Sequence, residues 1–318
     1  MLRARLPQLI EASSRRGLEI GPLDRPIITR EMGPVEYVDR APRAELQAWY
    51  SGPGHEDVDA GRIVEVDHVW GERSLLECVG GERAFGYLVA SHVIEHVPDV
   101  YGWLGEIAAV VADGGLVALF VPDKRQTFDM LRPVSASGEF VDAYLRRPRR
   151  PDTRQVFNHV YETRPPGAPE PDDAARTELA RGALALCRRA EANGEYIDAH
   201  CWVFTPRSLL QALDLASRLD LLPFELHTVE PDLDEFLVIL RRLPDAASSE
   251  DRRAAFVDSL ARHPLPEEPE GGDAPTAVLQ AEARAALARA KAIEASTIWK
   301  LTGPLRAAID GLRGLARR

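Results

Sequence analysis

The sequence predicts an α/β fold with a parallel sheet at its centre. Five short aliphatic runs recur: Gly17-Leu-Glu-Ile-Gly-Pro22 with a strand at 18–21, Val35-Glu-Tyr-Val-Asp39, Ile63-Val-Glu-Val-Asp67, Tyr87-Leu-Val-Ala-Ser91 and Leu116-Val-Ala-Leu-Phe-Val121. Such runs, separated by helical or loop stretches, read as parallel strands buried on both faces. Three of the five end on Asp39, Asp67 or Ser91. In an open α/β sheet, ligands bind at the carboxyl ends of the strands. Gly21, Asp39, Asp67 and Ser91 are therefore expected to line one crevice.

Composition narrows the function. The 318 residues suffice for one large domain, or for a domain with appendages, and 45% apolar residues supply a core. A net charge of −11 argues against nucleic acid as a partner. Three cysteines without a CxxC pair give no disulfide framework, so a reducing cytoplasm is the expected location. The N-terminal residues lack the apolar core of a signal peptide, and no run of about 18 apolar residues spans a membrane.

The elements follow in order. Leu2, Leu6, Leu9 and Ile10 predict a short amphipathic helix leading into the first strand. The loop after Gly21, Pro22-Leu-Asp-Arg-Pro-Ile27, carries two prolines and does not start a regular helix. The second strand ends on Asp39, 18 residues past Gly21. That is close to the spacing of about 20 at which nucleotide-binding sheets place a carboxylate on ribose hydroxyls. A carboxylate suits the role because it accepts from two vicinal hydroxyls at once. A helix is expected at 44–50, a third strand at 63–66 ending in Asp67-His68, and a fourth at 87–90. Trp103, Leu104, Ile107, Val110 and Val111 share one face of a helix over 100–112, stopped by Asp113-Gly-Gly115 before the fifth strand.

Together, Glu19-Ile-Gly21, Asp39, Asp67, Ala90-Ser-His-Val-Ile-Glu-His-Val-Pro-Asp99 and Asp113-Gly-Gly-Leu-Val-Ala-Leu-Phe-Val-Pro122 resemble the class I S-adenosylmethionine-dependent methyltransferases. The match runs over about residues 17–125, and its nearest subgroup is associated with bacterial glycan biosynthesis. The resemblance implies a Rossmann-like sheet of order 3-2-1-4-5-7-6 with an antiparallel terminal hairpin. It implies S-adenosylmethionine as cofactor and S-adenosylhomocysteine as product. Glu19, Gly21 and Pro22 would border the methionine moiety and Asp39 would hold the ribose. Asp67 and His68 would face the adenine, and Ser91 and His92 would close the pocket. One departure stands out: the family pattern has two or three glycines after the first strand, whereas here Pro22-Leu-Asp24 follows Gly21. Either the loop takes another path around the cofactor or binding is weakened.

His92-Val-Ile-Glu95-His96 also matches the H-x-x-E-H of inverted zinc proteases. That chemistry needs both histidines on one helical face. Here the first follows a strand directly, and Pro98 and Asp99 interrupt any helix. No protease is expected, His96 reads as a packing or capping residue, and no ligand spacing demands a metal.

Residues 126–205 are too long for a loop and read as an inserted cap that sets substrate choice. Its aromatics, Phe128, Tyr144, Phe157, Tyr161, Tyr196 and Trp202, either stack on sugar rings or form the cap's own core. Arg146–Arg150 is either a solvated face or an anion-binding patch. Thr205 before Pro206 caps a helix to about Leu219, and two strands follow at 224–229 and 235–243. The catalytic domain is expected to end near 244. A linker with a short helix at 249–263 would span 245–275, and a basic amphipathic tail 276–318. The tail carries eight basic and two acidic residues from Arg284 on. It would pack on the domain, on a second subunit or on an anionic membrane surface.

The expected reaction is O-methylation of a sugar hydroxyl in a glycan or glycosylated precursor. Two readings compete: methylation of a small aromatic metabolite, and a non-catalytic scaffold of the same fold in a glycan-assembly complex. A sugar hydroxyl is a poor nucleophile, so a general base is expected. His92, Asp123, His159 and His200 are the candidates, with His92 and His200 expected to face each other across the acceptor.

Overall fold

The computed structural model describes residues 2–52, 55 and 57–264. A seven-stranded sheet of order β3-β2-β1-β4-β5-β7-β6 forms its centre. Its strands are β1 (Gly17–Ile20), β2 (Val35–Asp39), β3 (His68–Val69), β4 (Phe85–Ser91), β5 (Val111–Pro122), β6 (Phe224–Pro231) and β7 (Glu235–Arg242). β7 runs antiparallel to both its neighbours, and the other pairings are parallel. The order and the antiparallel hairpin are those the resemblance implied.

Residues of β1, β4 and β5 alternate between two apolar layers. Leu18, Leu88, Val117 and Leu119 face α4 (Val100–Val110) and α8 (Pro206–Arg218), where the larger core lies. Tyr87, Val89, Ala118 and Phe120 face α1 (Leu2–Leu9) on the other side. α4 begins where the Asp99 side chain accepts a hydrogen bond from the Gly102 amide, a helix N-cap. It buries Trp103, Leu104 and Ile107 completely or nearly so. Each such side chain stabilises the fold by about 1.5–3 kcal/mol. α8 is capped by Thr205 with Pro206 in its first turn, as the sequence predicts.

The loop between β1 and β2 takes its own path and contains no helix. It is pinned from beneath. Glu19, nearly fully buried, accepts hydrogen bonds from the amides of Ile27 and Ile28 at 2.7 and 2.9 Å. Tyr37 donates its hydroxyl to the Ile28 carbonyl at 2.8 Å. The loop is thus held by side chains of β1 and β2.

Two sequence expectations change. The third strand is not 63–66 but His68–Val69, because Ile63 is taken into a small cluster with Ala41 and Leu46 from α2 (Arg43–Tyr50). The short helix expected at 249–263 is present as α9 (Ser249–Arg262), and it packs against the domain rather than standing in a free linker. Phe256 of α9 is fully buried in the main core, and the Ser259 hydroxyl accepts from the Leu226 amide of β6 at 2.9 Å. The 126–205 segment contributes α5 (Ser137–Arg146), α6 (Thr153–Glu162) and α7 (Asp173–Asn193). The expected tail at 276–318 lies outside the described residues. Among those described, no helix is long and apolar enough to cross a membrane.

Candidate functional site

A cavity of about 1000 Å³ opens at the carboxyl ends of β1, β2, β3 and β4. Gly21, Asp39, Arg40, Trp70 and His96 stand on its wall, and it continues along the whole of α4 to Leu221, Pro223 and Arg252. Gly21 has φ +67°, and a Cβ there would sit 3.3 Å from Val93 Cγ2. Glycine therefore fits both the left-handed backbone and the close approach. Asp39 is buried. One carboxylate oxygen accepts from the Arg40 amide at 2.7 Å, and the other, Oδ2, has no partner. Burial pushes the Asp39 carboxyl up to about 6, the Arg40 amide opposes this, and nearby Asp198 adds to it. Beside Asp39 the Arg40 guanidinium lies over the rings of Trp49 and Tyr196, at 5.0 and 5.8 Å from their centroids.

Of the residues assigned from sequence to the cofactor, Gly21 and Asp39 reach the cavity wall. The others are engaged elsewhere. Pro22 is buried behind Gly21 and off the wall. Glu19 holds the loop described above. Asp67 precedes the true third strand, so it sits along β2 rather than beyond its end. Its Oδ2 accepts from the Tyr37 amide and from Arg30, both at 2.7 Å. His68 turns to Glu36, Nε2 to Oε2 2.7 Å. The Ser91 hydroxyl accepts from Arg3 at 2.9 Å. The residue that β3 does deliver to the cavity is Trp70, just past its end, whose indole offers a flat apolar face. Sequence reasoning missed it because the third strand was placed too early.

Three of the four catalytic candidates are also occupied. His92, in a left-handed conformation (φ +53°), bonds Glu235 through Nε2 at 2.9 Å. Glu235 in turn takes Arg3, whose cation and that of His92 hold its carboxyl down at about 2 despite burial. Asp123 is gripped by Arg125, with Nε 2.9 Å from Oδ1. His200 donates from Nδ1 to Asp129 at 2.5 Å, and Asp129 also binds Arg132 at 2.7 Å. His92 and His200 do not face each other across the cavity. His159, the remaining candidate, accepts from the His200 amide at 3.2 Å, and burial and nearby cations depress its ring to about 4. The histidine on the cavity wall is His96.

The cap resolves similarly. Trp202 stacks on Phe140 at 4.3 Å in the core, and Phe157 packs near Tyr161, whereas Tyr144 and Tyr196 reach the cavity. Arg146 pairs with Asp142 and Asp152, Arg149 with Glu106 at 2.6 Å, and Arg150 with Glu72. The run is neither a bare solvated face nor an open anion patch. Two of its arginines tether the 147–150 segment to the cavity rim.

The sequence model described as "Methyltransferase domain" matches residues 2–216. The chain belongs to this methyltransferase-domain family, and it is an S-adenosylmethionine-dependent methyltransferase. Its cofactor is S-adenosylmethionine. The residues present fit that group: the unpartnered oxygen of buried Asp39 awaits hydroxyl donors, and Gly21 leaves room beside Val93. Solved structures similar to the chain include an S-adenosylmethionine-dependent methyltransferase from Mesorhizobium loti, at 14% identity and TM-score 0.38 over 75% of this chain and 96% of that one. Another, from Methanosarcina mazei, shows 15% identity and TM-score 0.37 over 76% and 98%. The CurJ carbon methyltransferase shows 11% identity and TM-score 0.36 over 73% of this chain, which spans 50% of that one. Likeness of this degree is too slight to carry any functional argument. No curated protein matches the chain.

Proposed function

We propose that the protein methylates a sugar hydroxyl of a glycan or glycosylated precursor. The observation that carries this reading is the set of charged side chains and aromatic rings on the rim of the cavity. Beyond Asp39, the wall offers Glu72, Glu106, Arg149 and Arg150 in two ion pairs, Arg147 without an ion pair among the described residues, and the rings of Tyr144 and Tyr196. Hydrogen-bonding groups set between aromatic faces suit a ring carrying many hydroxyls better than they suit a flat apolar metabolite. The cavity of about 1000 Å³ runs from Asp39 and Trp70 along α4 as far as Leu221, Pro223 and Arg252, and the acceptor is assigned to its part beside Tyr144, Tyr196 and the 147–150 segment.

The bound cofactor supplies an electrophilic methyl group on a sulfonium. The chain's own work is then positional. Asp39 accepts from the ribose hydroxyls, Gly21 lets the backbone approach, and Trp70 gives a face for the adenine. The tethered 147–150 segment and Tyr196 border the acceptor. Fixing two reactants in line contributes up to about 7–11 kcal/mol to the barrier reduction.

The test is transfer of a radiolabelled methyl group from S-adenosylmethionine to a panel of nucleotide sugars, lipid-linked glycans and phenolic metabolites. Label in a sugar ether is expected. Label confined to the phenols would sink the acceptor assignment.

A further inference from the structure

We propose that Glu95, His96 and His200 form a binding site for a divalent first-row transition cation at the inner wall of the cavity. One ligand atom from each of the three lies within 4.8 Å of the other two, the separation a single ion can span. The assembly comes from backbone pairing. The Glu95 carbonyl accepts from the amides of Cys201 and Trp202 at 2.7 and 3.2 Å, and the Trp202 indole donates to the Val97 carbonyl at 2.6 Å. These bonds draw the turn after β4 and the end of the cap into one ladder, which places His200 against His96. Their rings meet edge-on at 4.6 Å between centroids.

Glu95 is the second and independent sign. Its side chain has no solvent exposure, and neither carboxylate oxygen has a hydrogen-bond partner. The nearest imidazole nitrogens, His92 Nδ1 at 3.6 Å and His96 Nε2 at 4.0 Å, lie beyond hydrogen-bond reach. The two imidazoles stand only at ion-pair distance, so the buried carboxylate keeps its hydrogen-bonding capacity unmet, a cost that coordination to a cation offsets.

The histidines are already oriented as ligands. His96 Nδ1 lies 2.8 Å from Asp198 Oδ1, an ion-pair contact out of line for a hydrogen bond, and His200 Nδ1 lies 2.5 Å from Asp129 Oδ2. The hydrogen bond to Asp129 fixes the His200 imidazole and leaves its Nε2 for a metal, whereas Asp198 holds His96 by charge at close range. Two imidazoles and one carboxylate with open positions suit zinc, manganese, cobalt or ferrous iron better than calcium or magnesium. The H-x-x-E-H run, unsuited to a protease, supplies the glutamate and its second histidine to this site, while His92 turns to Glu235. Since His96 is on the cavity wall, the open positions face the acceptor's side. On the methyl-transfer reading, on which this role alone rests, the cation would bind acceptor hydroxyls. It would also ease loss of a hydroxyl proton to solvent.

The experiment uses the full chain, stripped with chelator and titrated with Mn²⁺ (followed by electron paramagnetic resonance) and with Co²⁺ (followed by its visible absorption). One equivalent is expected to bind. Glu95→Gln should weaken binding at least 100-fold, and Asp198→Asn, which removes only an orienting carboxylate, by about 10- to 100-fold. Added cation should raise the melting temperature of the wild type and not that of Glu95→Gln. If Glu95→Gln does not fold, Asp198→Asn decides. Absence of stoichiometric binding in the wild type, or undiminished affinity in the folded variants, overturns the site. Titration with S-adenosylmethionine runs alongside, so loss of the methyltransferase reading and loss of the metal site register separately.

Discussion

Trp70 donates its amide hydrogen to the Asp39 carbonyl at 2.8 Å. This bond closes the end of β2 against the residue that follows β3, and sets an indole beside a buried carboxylate whose Oδ2 has no protein partner. The ribose and adenine assignments both rest on this pair.

Removing the Asp39 carboxylate should therefore cost binding and not folding. Asp39→Ala is expected to weaken S-adenosylmethionine about 10- to 100-fold, the worth of hydrogen bonds to a charged group, about 1.5–3 kcal/mol. The melting temperature should hold, because only the adjacent Arg40 amide loses a partner. Calorimetry beside a thermal melt reads both, and unchanged affinity would contradict the ribose assignment.

Acid should act through the same residue. With Asp39 raised to about 6, the free protein carries it ionised at pH 7.5 and protonated at pH 5. Ribose hydroxyls donate to the ionised form, so binding favours deprotonation. Affinity is then expected to fall below pH 6, by up to about tenfold per pH unit. Asp39→Asn should flatten this dependence, and a wild-type affinity constant from pH 7.5 to 5 would refute it.

Glu19 predicts a pH effect on stability. Burial raises its carboxyl to about 7 from an ordinary 4.5, outweighing the Ile27 and Ile28 amides that pull it down. The folded state thus holds the proton more tightly than the unfolded state. Its contribution to stability is fully present below about 4.5 and is lost as pH rises through about 7. In denaturant titrations, the stability advantage of the wild type over Glu19→Gln should shrink across that window. An advantage that grows with pH would reverse the assignment.

Phe256 tests whether α9 is part of the domain. Phe256→Ala should cost about 3–5 kcal/mol, as for a large side chain removed from a packed core. A chain cut after residue 244 should melt lower still. Equal melting temperatures for the wild type and Phe256→Ala would return 245–262 to the status of a linker.

The strands were legible in sequence where an aliphatic run coincides with a sheet position, as in β1, β2, β4 and β5. Ile63–Val66 has the same appearance but spends its apolar residues on α2, and a two-residue edge strand leaves no periodic signal. That displacement carried Asp67 and His68 out of the cavity and hid Trp70. Gly21 and Asp39 could be found because backbone freedom and a strand-end carboxylate are local properties. The roles of Glu95, His96 and His200 depend on pairing across more than 100 residues. His92 bears the more conspicuous position, directly at a strand end, yet its left-handed backbone turns it to Glu235. Phe256 was hidden by an acidic, Ser-rich approach that reads as a linker until the helix is seen against β6.

The most direct test of the central claim is calorimetric titration of the purified full-length protein with S-adenosylmethionine and S-adenosylhomocysteine. The account predicts one site per chain with micromolar affinity for both, weakened about 10- to 100-fold in Asp39→Ala. A folded wild-type protein that binds neither would contradict it.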